Sequence, residues 1–249
     1  MKYFAARNMK EILRDKLNLF FGLLFPLLIL VLLFILNKNI PAQANMTLFR
    51  LENLTPGVAV FGLSFVSLFG GMLIARDRSE SFLIRLFSSP MKASDYLLGY
   101  TLPLLPLGLA QIACCFIAAF VMGLRADFIN ILLCMAVCIP AVLLFTGIGL
   151  LAGSCLSDKQ VGGVCGALLT NLSAWLSGTW FSLDLFGAAG KKICYALPFA
   201  NAVDSARQAL NGDYAGIMKG LWVVIAYAVV IFTAAVIIFS GKMKNGDKI

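Results

Sequence analysis

Leu17 to Leu36 is twenty residues long and carries no charge. A helix of that length, at about 1.5 Å per residue, covers the roughly 30 Å hydrocarbon core of a bilayer. Basic residues ahead of the run and Ala42-Gln43-Ala44 behind it have the outline of a cleavable signal. The run is longer than the about 7 to 15 apolar residues of a signal core, and more apolar runs follow, so it reads as a retained membrane helix. Composition agrees: the 249 residues are 61% hydrophobic and 13% charged, whereas soluble domains are about half apolar and a quarter charged. The chain reads as an integral membrane protein.

The apolar runs predict an all-α membrane protein built as a single transmembrane domain, 1–249. It has six transmembrane helices at about 17–36, 58–74, 96–124, 128–155, 161–180 and 220–240. Ahead of them, residues 1–16 place Arg7, Lys10 and Arg14 on one helical face and Ala5, Met9, Ile12 and Leu13 on another. That is the pattern of an interfacial helix with its basic side chains toward anionic headgroups. Pro103 and Pro106 predict that the third span is bent, or starts as a separate short segment. Gly147, Gly149, Gly153, Gly162, Gly163 and Gly166 predict close approach of helix backbones. Between spans five and six, residues 181–219 are too polar for one crossing. Phe199, Val203, Ala206 and Leu210 recur there at helical spacing between Pro198 and Gly212, predicting a short helix that dips into or lies on the outer face. Counting Lys and Arg by side gives 13 against 7, which places both termini in the cytoplasm.

One charged stretch interrupts this pattern, Ala75 to Tyr100, with segment 76–94 on the cytoplasmic side. Read as a helix from Ser79 to Ser89, it sets Phe82, Leu83, Leu86 and Phe87 on one stripe and Arg78, Ser81, Arg85 and Ser88 on another. Pro90 ends it, because the residue before a proline leaves the helical region. Such a helix either rests on headgroups or seats its apolar face in another protein.

Several chemistries are excluded. With no histidine, triads, HExxH zinc sites and histidine relays are absent. Six of the seven cysteines lie within apolar runs without zinc-type spacing, so they read as packing, and Cys194 lies in a loop with no obvious partner. No nucleotide-binding GxxxxGK[ST] loop occurs; Gly187 to Lys192 has the wrong spacing. The central parts of the spans hold no Asp, Glu, Lys or Arg, which disfavours an ion-driven carrier. Gln111, Thr146, Thr170, Asn171 and Ser173 remain as polar groups able to hydrogen-bond a substrate or a neighbouring helix. The basic excess is one-sided and belongs to the membrane rather than to nucleic acid.

Two motifs resemble the small six-span permeases of the second exporter type among ATP-binding-cassette transporters, in their drug-exporter-like branch. One is Lys10-Glu11-Ile12-Leu13-Arg14-Asp15-Lys16 running into Phe25-Pro26-Leu27-Leu28. The other is Asp77 to Gly99, a charged start followed by Leu, Arg, Leu, then Ser-Pro and later Leu-Gly. Ser81, Phe82, Ile84 and Tyr100 depart from the residues common at those positions. The resemblance implies that the segment between spans 2 and 3 is a coupling helix seated on a separate ATP-binding-cassette ATPase subunit, through Arg78, Glu80, Phe82, Leu83, Arg85, Leu86, Phe87 and Pro90. It implies a re-entrant helical segment between spans 5 and 6, and a second permease, identical or homologous. The path would run near spans 1, 2 and 5, at Asn18, Phe21, Phe25, Asn171 and Trp175, and carry a small amphiphilic substrate such as a drug, antimicrobial peptide or lipid. It also implies a multi-pass protein of the plasma membrane, with no cofactor, metal or catalytic residue on this chain and ATP and Mg on the partner. A passive channel or an accessory membrane subunit without ATP coupling is the alternative.

Overall fold

The computed structural model describes residues 2–40, 47–80, 82 and 91–244. Among them every regular element is helical. α1 is Lys2–Arg14, α2 Lys16–Asn39, α3 Leu51–Ser79, α4 Ala93–Val121 and α5 Phe128–Cys155. α6 covers 158–176, α7 is Gly187–Ala196, α8 Pro198–Leu210 and α9 Tyr214–Lys244. Five of these, α2, α3, α4, α5 and α9, are long and apolar enough to cross a membrane.

The expected crossing at 161–180 is the exception. α6 occupies that place, but it opens on Asp158-Lys159-Gln160 and carries Thr170, Asn171 and Ser173, which dilute its apolar character. It ends at Leu176, short of Trp180, and Gly178 follows with φ +70°. Its start is fixed by a capping box in which the Ser157 backbone N–H donates to the Gln160 side chain at 3.0 Å.

α3 is the axis of the bundle. It is buried along most of its length and packs against α2, α4, α5, α6 and α8. It also extends beyond the expected 58–74 at both ends. Hydropathy stops at the first polar residues, whereas the helix stops where its polar residues run out of protein partners. Leu51 and Leu54 are buried at the end where Arg207 of α8 donates to the Asn53 carbonyl, and at the other end Asp77 and Arg78 are bound by neighbouring elements. Ser79 is therefore the last residue of this helix, not the first of a separate one.

The closest packing is between α3 and α5, where backbone meets backbone. A Cβ at Gly149 would lie 2.1 Å from the Ser67 carbonyl oxygen, and one at Gly153 would lie 2.4 Å from that of Gly71. Gly162 and Gly163, also expected to permit close approach, face open space. α4 is one continuous helix through Pro103 and Pro106, so no separate first segment forms. It ends at Gly123, φ +103°, in a Schellman motif: Leu124 N–H donates to Ala119 and Gly123 N–H to Phe120. That glycine stop precedes the expected boundary at 124. α5 is interrupted at Cys138, two residues before Pro140.

α8 carries the expected stripe inward: Phe199, Val203, Ala206 and Leu210 are all buried. Arg207 ties it to the bundle by donating to the carbonyls of Asn53 at 3.0 Å and Gly178 at 2.9 Å. Cys194 lies within helix α7, buried against Leu183 and Ala200, rather than in a loop. All seven cysteines are free thiols.

Candidate functional site

The ends of α3 and α4 that precede and follow the charged segment are held by α1. Asp77, 2% exposed, accepts from Arg7 Nη1 at 2.5 Å and from the Tyr100 hydroxyl at 2.7 Å. Burial alone would lower the Arg7 guanidinium, but its hydrogen bond and charge contact with Asp77 carry it above its ordinary value. Arg7 was expected to face headgroups; it turns inward because a carboxylate buried beside the membrane needs a cation. The face of α1 that packs on protein is accordingly Phe4, Asn8 and Ile12, while Leu13 is exposed.

Asn8 explains how α1 is fixed in register. Pro103 has no N–H to give the Gly99 carbonyl one turn back, and the fully buried Asn8 amide donates to that carbonyl at 3.1 Å. The Phe4 ring fills the notch over Gly99, where a Cβ would be 2.4 Å from Cδ1. Phe82 then joins the cluster. Its ring stacks on Phe4 with centroids 6.4 Å apart, and the Arg7 guanidinium sits 4.6 Å above it.

The other expected coupling residues divide. Arg78, expected to be on a rim facing a partner, donates instead to the carbonyls of Gly153 at 3.1 Å, Ser154 at 2.6 Å and Leu156 at 2.9 Å. It thereby satisfies the open C-terminal turn of α5. Glu80 is exposed and borders a cavity of about 320 Å³ together with Arg7, Glu11, Asn18, Phe69 and Arg76. Leu83, Arg85, Leu86, Phe87 and Pro90 lie outside the described residues.

Above that cavity, α2 and α3 meet along a ladder of aromatic rings. Phe61, Phe65 and Phe69 recur every fourth residue on α3. Phe69 packs into the notch at Gly22. Phe65 meets Phe21 at 6.3 Å and Phe25 at 5.4 Å; Phe61 meets Phe65 at 5.8 Å and Trp180 at 5.3 Å. Trp180, with Phe49, Phe181 and Leu185, lines a second cavity of about 520 Å³. The ladder thus links a charged cavity at one end of the bundle to an apolar one at the other. Alongside it α2 contains a π-helical turn, Phe20–Leu24, directly before Pro26. α6 contains another, Gly162–Leu169. Both are places where helices yield more readily.

Of the path residues expected from sequence, Phe21 and Phe25 stand on this ladder. Asn18 lies at its charged end, where its amide donates to Asp15 at 2.6 Å. Asn171 and Trp175 are on the exposed face of α6 with Leu168 and Leu172; the Trp175 ring meets Phe181, at the second cavity, edge to face at 6.3 Å, and the Asn171 amide donates to its own helix at Ala167. The sequence reading missed Phe61, Phe65 and Trp180, although the four-residue spacing of the phenylalanines was visible.

A model of the family described as ABC-2 type transporter matches residues 1–211. The chain belongs to that family. No curated protein matches it. As an ABC-2 permease it is a membrane component of an ABC transporter, a multi-pass protein that is not itself the catalyst, and its family works with ABC ATPases. The match takes in α1, the charged segment, the phenylalanine ladder and α8, so every part of the site in this ABC-2 permease falls inside the family's shared region.

Proposed function

We propose that this chain is the permease subunit of an ATP-driven exporter. It pairs with a second permease, identical or homologous, and carries a small amphiphile, such as a drug, antimicrobial peptide or lipid, across the plasma membrane. A separate ATPase subunit binds ATP and Mg, and its closure pushes on segment 76–94. Both termini and that segment are cytoplasmic, α6 supplies the sixth crossing, and α8 is re-entrant from outside.

The observation that carries this reading is the clamp on Phe82. A residue at the start of the segment is stacked on α1, which is itself bound to the ends of α3 and α4. A push there reaches two spans through one packed cluster, without crossing a loose loop. Glu80 and Arg85 remain candidates for the charged rim, while Arg78 acts through the bundle. The ladder gives an amphiphile's apolar part a continuous aromatic surface, and the charged cavity at its foot suits a polar head.

Phe82→Ala removes a half-buried ring worth about 1.5 kcal/mol of burial plus a cation–π contact of about 0.5 to 1 kcal/mol. That is too little to unfold a membrane domain and enough to slacken a lever. Phe82→Ala and Leu86→Ala are each expected to insert normally, while substrate-stimulated ATP hydrolysis and transport fall at least tenfold in the reconstituted complex. Wild-type stimulation in both variants would contradict the coupling role.

A further inference from the structure

The turn between α4 and α5 joins two helices long and apolar enough to cross a membrane, so residues 122–127 lie at the level of the headgroups. Next to this turn the two helices splay. The first half of α5, ahead of the interruption at Cys138, packs far more closely on α8 than on α4. The Tyr214 hydroxyl, at the start of α9, also holds it there by donating to Asn130 at 2.9 Å. What is left between α4 and α5 is an apolar cavity of about 460 Å³, walled by Phe116, Ile117 and Phe120 on one side and Phe128, Ile131 and Leu132 on the other. Ile117, Phe120 and Leu132 are exposed, so the cavity opens outward, where the surrounding medium of a membrane helix is acyl chain.

A polar cavity of about 520 Å³ adjoins it, and Ala126 borders both. Arg125, Asp127, Asn130 and Asn211 line this one. Their capacity for binding is largely unused. Asp127 occupies the N-cap of α5, yet its carboxylate does not take the hydrogen bond that such a residue usually makes. Among the described residues, the Arg125 and Asp127 side chains form no hydrogen bond or ion pair, with each other or with a neighbour. Asn130 is only 8% exposed; Tyr214 holds one end of its amide, and the other end has no partner among the described residues. Water ordinarily satisfies the charges of a turn. This turn differs in that an apolar cavity begins at the same alanine.

We infer that α4 and α5 hold a membrane phospholipid with a zwitterionic headgroup. One acyl chain lies in the apolar cavity, Arg125 pairs with the phosphate and Asp127 with the ammonium. The free end of Asn130, donor or acceptor according to how the amide is turned, meets a head that offers both. An anionic lipid satisfies Arg125 but sets its net charge against Asp127. The site is built from α4 and α5 rather than from the ladder on α2 and α3, so it stands whether or not the chain exports an amphiphile. No helix has to move to open it.

The test purifies the whole permease in detergent with equimolar phosphatidylethanolamine and phosphatidylglycerol of the same acyl chains, and reads the lipid that stays bound by native mass spectrometry. The wild type is expected to retain one phosphatidylethanolamine per chain, in about fivefold preference to phosphatidylglycerol, the scale of one charge at a membrane surface. Asp127→Asn is expected to reverse that preference, because Arg125 is then unopposed. Leu132→Trp, which fills the apolar cavity without touching the headgroup, is expected to lose the retained lipid of either kind. Both positions are exposed, so circular dichroism of the two variants is expected to match wild type. Equal retention of the two lipids by the wild type, or a preference that Asp127→Asn leaves unmoved, overturns the assignment. Wild-type retention in Leu132→Trp also overturns it, by making the bound lipid part of the general annulus only.

Discussion

Gly149→Ala is expected to lower the stability of the detergent-solubilised permease by about 3 kcal/mol or more, the upper range for overpacking. The reason is the identity of the neighbour. The new methyl would meet the Ser67 carbonyl oxygen at 2.1 Å, a backbone atom that no side-chain rotation can withdraw. Relief requires α5 to back away from α3, the most enclosed span, and Gly153, 2.4 Å from the Gly71 carbonyl in the same sense, loses its contact too. Gly163→Ala is the matched control. It faces open space, so the ordinary helix preference for alanine over glycine, about 1 kcal/mol, has nothing to oppose it. Thermal unfolding of both variants checks the contrast; equal midpoints for Gly149→Ala and wild type would mean that these spans do not meet along their glycines.

Arg7→Ala should release α1 from the bundle. It leaves Asp77 buried with the Tyr100 hydroxyl as its remaining donor. Removing one partner of a buried pair typically costs 3 to 5 kcal/mol; since Arg7 is one-third exposed, water reaches part of the gap, and about 2 to 3 kcal/mol is expected. The consequence is local. Proteolytic cleavage within 2–14 should accelerate by more than tenfold, with α9 unaffected. Arg7→Met combined with Asp77→Leu should restore most of the protection, because two apolar groups of similar size need no partner. If Arg7→Ala resists the protease as well as wild type does, Phe4, Asn8 and Ile12 hold α1 without the ion pair.

The parts of this fold that were legible in the sequence are those set by solvent preference over many residues. Five long apolar runs became five long helices, and the stripe Phe199, Val203, Ala206 and Leu210 became the buried face of α8. Segment ends were less legible, because hydropathy cannot tell a charge in water from one with a partner. Asp77 and Arg78 looked like the charged start of a separate cytoplasmic segment and are the last turn of α3. Arg7 looked like a headgroup ligand and is the partner of a buried carboxylate seventy residues away in sequence. Asn8 was the least visible, although Pro103 announces an unserved carbonyl at Gly99 and so asks for some donor. The π turns of α2 and α6 leave no mark, since a shift from i+4 to i+5 bonding needs no special residue. Phe21 and Phe25 were picked out from the resemblance and stand on the ladder; their partners Phe61 and Phe65 lie outside the motifs that carry it, and a four-residue spacing alone says only that they share a helix face.

The central claim is that this bundle has no energy source of its own and is driven through the segment after α3. Its most direct test is ATP-driven uptake of a labelled amphiphile into inverted proteoliposomes, with the permease alone, with its ATPase, and with its ATPase carrying a Walker-lysine substitution. Concentration of the label against its gradient is predicted only with permease and intact ATPase together, and not with the Leu86→Ala permease. Uphill accumulation by the permease alone, or full accumulation with Leu86→Ala, would contradict the account.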